Sequence, residues 1–326
     1  MLQPINASIS TKKVIADIGG TNARFALLNE NGSIQDQIVL RGADYPDFIS
    51  AYREYLNKIG NPKVTDAAIA IANPIDGDVI KMTNHDWNFS IKEAQESLLL
   101  ETLTFKNDFE ALAMSIPFLE ENDIYQVGGV PTSNKQPIAV LGPGTGLGVS
   151  GLVFSGDKWI ALSTEGGHVS LSPTTKREIE VFKCCLKQYE HVSAERLISG
   201  GGLVLLYSLI CELDKVEVNT DLTAHDISQH ALSNSNPQCA EALDIFTGLL
   251  GVVAGNLALT LGATGGVFIG GGIVPKLGDY FKSSAFRARF DAKGRFEDYL
   301  KEIPVYVIKA KYPALIGIKQ VFEFNS

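Results

Sequence analysis

The chain has 326 residues, of which 45% are hydrophobic, 9% aromatic and 20% charged, as expected for a globular protein of about two domains. Lys and Arg total 28 and Asp and Glu total 37, so the formal net charge is −9. That charge excludes general binding to nucleic acids or anionic membranes, which needs a basic face. Phosphate still binds to acidic chains through backbone N–H groups and a metal ion, so nucleotides remain candidate ligands.

Strand-like and helix-like segments alternate along the first half of the chain. Short apolar runs predict strands at 14–17, 24–28, 34–40, 67–72 and 103–106. Apolar residues at helical spacing predict a helix over 48–59, and a second helix follows the last of these strands. Strands mixed with helices in this order indicate an α/β protein.

A stretch without charged residues covers 245–275 and has to be considered as a membrane span. Glycines interrupt it repeatedly, and Asn256 and Thr260 add polar groups, which favours a buried helix that continues into a buried strand. The chain has only four cysteines, which is too few for a disulfide framework. We therefore expect a cytoplasmic protein with reduced thiols and no membrane span.

Two strand–turn–strand segments, 14–28 and 138–153, each contain a Gly-Thr pair in the turn. They form a weak internal repeat, which indicates either two related halves or two unrelated hairpins. The second turn, at 142–148, is not a dinucleotide-binding fingerprint, because an apolar β-branched segment follows it where that fingerprint opens a helix. The sequence also contains no P-loop motif.

The interpretation that remains is a pair of tight hairpins whose backbone N–H groups cradle a polyphosphate, because glycine permits positive φ and close approach. Asp17 ends the first strand just before the turn at 19–22, where its carboxylate suits either hydrated Mg²⁺ or a turn cap. A third glycine cluster at 265–272 frames another strand, and either ligand contact or tight helix–sheet packing explains it.

Motifs in a fixed order along nearly the whole chain resemble those of bacterial glucokinases, in the hexokinase branch of the actin-like sugar kinase superfamily. They are ADIGGTNARFAL (16–27), IAIANPIDGD (69–78), MTNHDWNFS (82–90), KNDFEALAMSIP (106–117), GPGTGLGVS (142–150), EGGHVS (165–170), EHVSAERLISG (190–200) and GGVFIGGGIVP (265–275). The resemblance implies a two-domain actin-like ATPase fold, ribonuclease H-like, with a cleft between a small and a large α/β domain. It places the small domain at 1–117, completed by 306–326, and the large domain at 118–305, and it implies a homodimer.

The resemblance also implies an activity, the Mg²⁺- and ATP-dependent phosphorylation of glucose at its 6-hydroxyl, the first step of glycolysis. Asp108 resembles the general base, and the sugar-binding residues implied are Asn107, Asp108, Glu165, His168 and Glu195. The ATP-binding residues implied are Asp17, Gly19, Gly20, Thr21, Asn22, Gly144, Thr145, Gly146, Gly270, Gly271 and Gly272, with Asp17 holding Mg²⁺ through water. Carboxylates, Asn and neutral His provide the donors and acceptors that a ring of hydroxyls needs.

Simpler structural roles stay open for these residues on spacing alone. Asn107 is a good helix N-cap with Glu110 three residues later, and Glu195 suits the start of a helix. A lone His168 is also consistent with a partly buried, hydrogen-bonded histidine. Two other functions stay open: a kinase for another sugar, such as mannose, fructose or an amino sugar, and a non-catalytic actin-like nucleotide switch.

The chain departs from the family pattern at three positions near the expected nucleotide, Pro143, Gly201 and Gly270. The related repressor and kinase group carries a cysteine-rich zinc motif after its E-x-G-H sequence. Here only the adjacent Cys184 and Cys185 follow, and neighbouring cysteines cannot supply that site, so no structural zinc is expected.

Overall fold

The computed structural model describes residues 12–82, 86–132 and 135–323. The chain divides into two compact units, the first of Met1–Phe118 with Tyr312–Ser326 and the second of Leu119–Lys311. Each unit combines a sheet with helices, so the predicted α/β class is confirmed.

The first unit has the strands β1 (Lys12–Ile18), β2 (Asn22–Leu28), β3 (Ile34–Arg41), β4 (Val64–Ile71), β5 (Val79–Lys81), β6 (Asn88–Ser90) and β7 (Thr102–Asn107). Its first helices are α1 (Phe48–Lys58), α2 (Ile91–Ser97) and α3 (Asp108–Ser115). Five strands form one sheet in the order β3-β2-β1-β4-β7, and β5 pairs with β6 separately. Strands β4 and β7 run parallel to β1, whereas β2 and β3 are antiparallel to their neighbours.

Aromatic side chains fill the core between this sheet and α1. Phe25 of β2 lies with its ring centroid 6.0 Å from Tyr52 and 5.2 Å from Tyr55, and all three side chains are fully buried. The helix begins after Asp47, whose side chain accepts the Ser50 N–H at 2.7 Å. The predicted helix over 48–59 and the five predicted strands are therefore all present, with bounds that differ by up to three residues.

The second unit has the strands β8 (Ile124–Gly128), β9 (Ile138–Pro143), β10 (Leu147–Ser155), β11 (Lys158–Leu162), β12 (Gly266–Ile269) and β13 (Val305–Ile308). Its helices are α4 (Lys176–Leu186), α5 (Ala194–Leu197), α6 (Gly200–Asp214), α7 (Ala224–Leu232), α8 (Pro237–Leu261), α9 (Asp279–Ser283), α10 (Phe286–Asp291) and α11 (Glu297–Glu302). The strands form one sheet in the order β11-β10-β9-β12-β13-β8. Strands β12 and β13 run parallel to β9, and the remaining neighbours are antiparallel.

The two sheets share one pattern of connections. In each, three antiparallel strands are followed by two strands parallel to the first, as β3-β2-β1-β4-β7 and β11-β10-β9-β12-β13. A Gly-Thr turn joins the corresponding pair of strands in each sheet, β1 to β2 and β9 to β10. The internal repeat predicted from these turns is therefore present in the strand topology.

The charge-free stretch forms most of α8 and all of β12. Helix α8 is long and apolar enough to cross a membrane, but 78% of its most apolar window is buried inside this unit. It packs closely on α10, since a Cβ on Gly251 would overlap the Phe286 carbonyl. The helix ends at Gly262 with φ +59°, and the four residues of β12 are all buried. The predicted buried helix followed by a buried strand is confirmed.

The chain returns to the first unit through α12 (Pro313–Ile318). The sequence placed this return at residue 306, but β13 pairs in parallel with β12, with Val305 beside Val267, and so 305–308 belong to the second sheet. Helix α12 packs on α3, where a Cβ on Gly317 would overlap the Ala111 carbonyl. The returning helix thus supports the helix that carries Asp108.

Replacing Gly317 by Ala is expected to destabilise the protein by about 1–3 kcal/mol, because the added methyl group forces α12 away from α3. Urea unfolding followed by circular dichroism measures this change. Gly201→Ala is the matched control, since among the described residues no atom outside its own helix and chain neighbours lies within 4 Å of its added Cβ. Equal stability of the two variants would contradict the expectation.

Candidate active site

In the first unit, three parallel strands end at one edge of the sheet. The register aligns Ile18 of β1 with Ile71 of β4, and Ile71 with Asn107 of β7. The polar residues Asp17, Asn73 and Asn107 lie at or near these carboxyl ends. Side chains of this kind at the carboxyl edge of parallel strands are the usual ligand-binding groups of open α/β sheets.

Asn107 is the N-cap of α3, as its spacing allowed. Its Oδ1 accepts the N–H groups of Phe109 at 2.9 Å and Glu110 at 3.3 Å, and its Nδ2 donates to the Asn73 carbonyl at 3.4 Å. The Glu110 side chain pairs with Lys106, Oε1 to Nζ 2.6 Å. Capping therefore fixes Asp108 as the first residue of α3, where its Oδ1 accepts the Phe109 N–H at 2.9 Å.

Asn73, a polar residue at this edge, belongs to the motif at 69–78, but the sequence did not predict a role for it. It is 8% exposed, and its Nδ2 donates to the Pro74 carbonyl at 2.8 Å. Its buried Oδ1 has no hydrogen-bond partner within the described ranges. Buried polar atoms are normally paired, so this acceptor beside Asn107 is unusual.

The turn at 19–22 follows β1 and presents Gly20 and Thr21 to solvent. It is closed by a hydrogen bond from Gly19 N–H to the Asn22 carbonyl at 3.0 Å. Asp17 is paired with Arg24, Oδ2 to Nη1 3.0 Å, a partner that the sequence analysis did not identify. Burial raises the pKa of Asp17, and the Arg24 guanidinium opposes that shift.

Replacing Arg24 by Met is expected to cost about 1–3 kcal/mol of stability at neutral pH, because it leaves the Asp17 carboxylate half-buried without its cation. The loss should shrink as the pH falls, since removal of Arg24 raises the pKa of Asp17 further and the neutral carboxyl needs no cation. Thermal unfolding between pH 4 and 8 measures both effects. Arg53→Met removes exposed hydrogen bonds from Arg53 Nη2 to the Ser97 carbonyl and hydroxyl, and should change stability little at any pH.

In the second unit, the turn at 142–148 between β9 and β10, here called the glycine hairpin, is held from two sides. Its Gly144 carbonyl accepts the Gly200 N–H at 2.8 Å, at the start of α6, and its Pro143 carbonyl accepts the Ile273 N–H at 3.3 Å. Thr145 is exposed at the tip, between the half-buried Gly144 and Gly146. The base of the hairpin is therefore fixed by hydrogen bonds, and its tip is exposed.

The third glycine cluster packs directly on the glycine hairpin. A Cβ on Gly142 would overlap the backbone of Gly270 and Gly271, and a Cβ on Gly271 would overlap the Pro143 carbonyl. Gly271 has φ +77°, which L-residues with side chains rarely adopt. Tight packing therefore accounts for the glycines at these positions, although it is the packing of one turn on another and not of a helix on the sheet. Ligand contact by the third cluster stays a prediction.

A cavity of about 390 Å³ opens beside these glycines, within the size range of small-molecule sites. It is lined by the hairpin tip, the start of α6, one side of α7 and the segment after β12: Gly144, Thr145, Gly200, Gly201, Leu203, Ala224, His225, Ser228, Gln229, Leu232, Gly272, Ile273, Lys276 and Leu277. Sequence reasoning missed the α7 side entirely. Gly201, one of the departures from the family pattern, has open space around its Cβ position.

The predicted sugar residues of this unit come from two short segments that pair with each other. Glu165 precedes the 3-10 turn Gly166–His168 and His168 ends it; both side chains are more than half exposed and lie 3.9 Å apart, Oε2 to Nε2. The next residues pair with those before α5 through Ala194 N–H to the Val169 carbonyl at 2.9 Å. This pairing brings the Glu195 segment beside the Glu165–His168 turn.

Glu195 contacts the glycine hairpin as well as standing at the start of α5. It is half-buried, and its Oε2 accepts the Leu147 N–H at 2.8 Å. The carboxylate therefore has a specific backbone partner and is not only a favourable charge at a helix start.

Residues 83–85 of the motif at 82–90 lie outside the described residues. Met82 and Asp86 to Asn88 of that motif border a second cavity of about 830 Å³, and Trp87 Nε1 donates to the Tyr45 carbonyl at 2.9 Å. Within the described ranges, no group of three or more His, Cys, Asp or Glu residues is arranged to hold a metal ion.

Comparison with known proteins identifies this arrangement. The family model described as Glucokinase matches residues 14–324. The chain belongs to the Glucokinase family. The glucokinase of Chromobacterium violaceum is 49% identical over 306 residues, which cover 94% of this chain and 88% of that protein. The bifunctional protein glk of Paraburkholderia xenovorans is 47% identical over 309 residues, and the match spans 95% of this chain but 48% of that longer protein.

A solved structure agrees with the family. The crystal structure of a glucokinase from an Antarctic psychrotroph has a TM-score of 0.85 and 34% identity, covering 97% of this chain and 99% of that one. The resemblance, the actin-like fold and the enzyme class of the Glucokinase family, an ATP-dependent hexose kinase, are thereby confirmed.

Proposed function

We propose that this chain transfers the γ-phosphoryl group of ATP to the 6-hydroxyl of D-glucose, giving glucose 6-phosphate and ADP. The observation that carries the proposal is the glycine hairpin, whose exposed tip lines the 390 Å³ cavity while its Leu147 N–H is bonded to Glu195. A phosphate cradle, a cavity of nucleoside size and a sugar-type carboxylate thus share one turn of the second unit. Membership of the Glucokinase family supports the same reaction.

Asp108 is the proposed general base. Its carboxylate takes the proton of the 6-hydroxyl while that oxygen attacks the γ-phosphorus and the bond to the β–γ bridging oxygen of ADP breaks. A general base of this kind raises the reaction rate by on the order of 10²–10⁴-fold. The rest of the rate enhancement comes from positioning and charge neutralisation, since the transition state of phosphoryl transfer is loose. The Asn107 cap supports this role, since it fixes the backbone that carries Asp108.

The other sugar hydroxyls are proposed to bind Asn107, Glu165, His168 and Glu195. The exposure of Glu165 and His168 supports this, because both side chains are presented to solvent with polar atoms 3.9 Å apart. A sugar that leaves one of these groups unpaired loses a hydrogen bond, which is the physical basis for selecting one hexose.

For ATP, the nucleoside is proposed to enter the 390 Å³ cavity, beside Gly270, Gly271 and Gly272. The phosphates are proposed to bind at two turns, formed by Gly19, Gly20, Thr21 and Asn22 in the first unit and by Gly144, Thr145 and Gly146 in the second. The Gly19 and Gly144 N–H groups already close these turns, so the other N–H groups are the proposed donors to phosphate oxygens. Exposed tips and glycine backbones at both turns support this assignment.

Asp17 is the proposed protein group for Mg²⁺. A single half-buried carboxylate already paired with Arg24 suits an ion that keeps its waters and binds mainly to phosphates, and does not suit an all-protein cage. When bound, the ion would neutralise charge on the transferred phosphoryl group. The enzyme is further proposed to be cytoplasmic, to act at the first step of glycolysis and to form a homodimer.

ADP release in the presence of Mg·ATP, with and without glucose, tests the proposal. We expect turnover that requires glucose and is weaker with mannose, fructose and amino sugars. Turnover mainly with another hexose would support the kinase activity and show that this hexose, not glucose, is the substrate. A rate of ADP release that does not change when any of these sugars is added would favour a nucleotide switch instead.

A further inference from the structure

The Leu147 N–H, at the start of β10, is bonded to a side chain and not to the neighbouring strand. Leu147 lies opposite Pro143 in the β9–β10 register, but the Pro143 carbonyl accepts the Ile273 N–H at 3.3 Å. The Leu147 N–H donates instead to Glu195 Oε2 at 2.8 Å. A carboxylate from α5 therefore satisfies a backbone donor at the base of the glycine hairpin.

The same carboxylate oxygen lies against the preceding residue of the hairpin. A Cβ on Gly146 would overlap Glu195 Oε2, so an alanine here would displace the carboxylate from this position. Gly146 also closes the tip, because its carbonyl accepts the Gly144 N–H at 2.8 Å. Glu195 Oε2 thus contacts two consecutive residues at the base of the tip.

The segment that carries Glu165 and His168 contacts the hairpin at the same point. A Cβ on Gly167 would overlap the Leu147 carbonyl. The Leu147 peptide groups are therefore held on the N–H side by Glu195 and on the carbonyl side by Gly167. Ala194, next to Glu195, is in turn bonded to the Val169 carbonyl at 2.9 Å.

We propose that Glu195 is a positioning residue of the glycine hairpin as well as a sugar ligand, so that hexose and nucleotide binding are coupled through its carboxylate. This rests on the proposed function. A carboxylate has two oxygens with about four acceptor sites. Oε2 holds the hairpin, and Oε1 accepts a sugar hydroxyl. A sugar bound to Oε1 restricts the side chain and so holds Leu147 and the tip in the conformation that binds phosphate.

The coupling is expected to be positive and equal in both directions, as thermodynamic linkage requires. We expect glucose to bind at least about fivefold more tightly when a non-hydrolysable ATP analogue is present, at the low end of usual coupling factors.

Two alanine variants in the second unit test the proposal. Gly146→Ala places a methyl group on Glu195 Oε2, whereas Gly248→Ala, in α8, adds one at an ordinary van der Waals distance of 3.6 Å from Ala285 and Arg289. Neither glycine has a positive φ in the region that strains alanine. Calorimetric titration of glucose into nucleotide-free protein should show binding weakened by about tenfold or more in Gly146→Ala and unchanged within twofold in Gly248→Ala.

The titrations repeated with the ATP analogue measure the coupling itself. The enhancement of glucose binding should persist in Gly248→Ala and disappear in Gly146→Ala. Equal glucose affinity in the two variants, or full coupling in Gly146→Ala, would overturn the role of Glu195 while leaving the glucokinase activity intact. Wild-type protein that binds no hexose would overturn the proposed function and this inference with it.

A second pair of variants covers a failure of Gly146→Ala to fold. Glu195→Gln keeps one oxygen for the Leu147 N–H, whereas Glu195→Ala removes both oxygens. Both should raise the KM for glucose, but only Glu195→Ala should also raise the KM for ATP several-fold. An unchanged KM for ATP in Glu195→Ala would overturn the positioning role.

Discussion

Asp108→Asn is expected to lower kcat for glucose phosphorylation by about 10²–10⁴-fold while leaving the affinity for glucose within a few-fold. The amide cannot take the proton of the 6-hydroxyl, but its oxygen can still accept the Phe109 N–H that Asp108 accepts at 2.9 Å. The Asn107 cap is untouched, so α3 should keep its position. Steady-state ADP release and calorimetric glucose titration separate the two effects.

Asp47→Asn is the matched control. Asp47 also lies at the start of a helix of the first unit, where its Oδ1 accepts the Ser50 N–H at 2.7 Å. The same chemical change should therefore leave kcat near that of the wild type. Glucose-dependent turnover in Asp108→Asn equal to that of this control would show that Asp108 is not the base.

The sequence predicted features that depend on local pattern or on backbone conformation. Apolar periodicity located the strands of the first sheet and α1, and the interruption of an apolar stretch by glycines identified α8 as a buried helix. The Gly-Thr turns located both hairpins, because a tight turn between strands constrains residue type locally. The sequence allowed two roles for Asn107, a helix N-cap and a sugar ligand, and the structure shows the capping hydrogen bonds. A role for Asn107 in sugar binding is compatible with them and stays a prediction.

Contacts between distant segments were not predictable in the same way. Arg24 pairs with Asp17 across a strand pair, and Glu195 reaches Leu147 from another element. Both partners lie inside motifs, but the motifs do not say which carboxylate each one meets, since any guanidinium or backbone N–H can donate to a carboxylate. The α7 side of the cavity was missed for a related reason. Its residues repeat at helical spacing as in any amphipathic helix, and only the packing of α7 against the glycines makes one side a cavity wall.

Filling that cavity gives the second large expected effect. Ser228 lines the cavity from α7, and its Oγ donates to the Ala224 carbonyl one turn earlier. Ser228→Phe should raise the KM for ATP by about tenfold or more, because a phenyl ring occupies space that the nucleoside needs. A tenfold loss of affinity corresponds to about 1.4 kcal/mol, which is modest for steric exclusion from a binding cavity. The KM for glucose, measured at saturating ATP, should remain near the wild-type value.

Ser233→Phe is the matched control, since Ser233 is the exposed residue that ends α7 and does not line the cavity. Initial rates over a range of ATP concentrations, with thermal unfolding to confirm that both variants are folded, complete the test. A rise in the KM for ATP confined to Ser228→Phe would place the nucleoside in this cavity. An unchanged KM for ATP in folded Ser228→Phe would instead require the nucleoside to bind elsewhere, and the hairpin would then have to receive its phosphates from another direction.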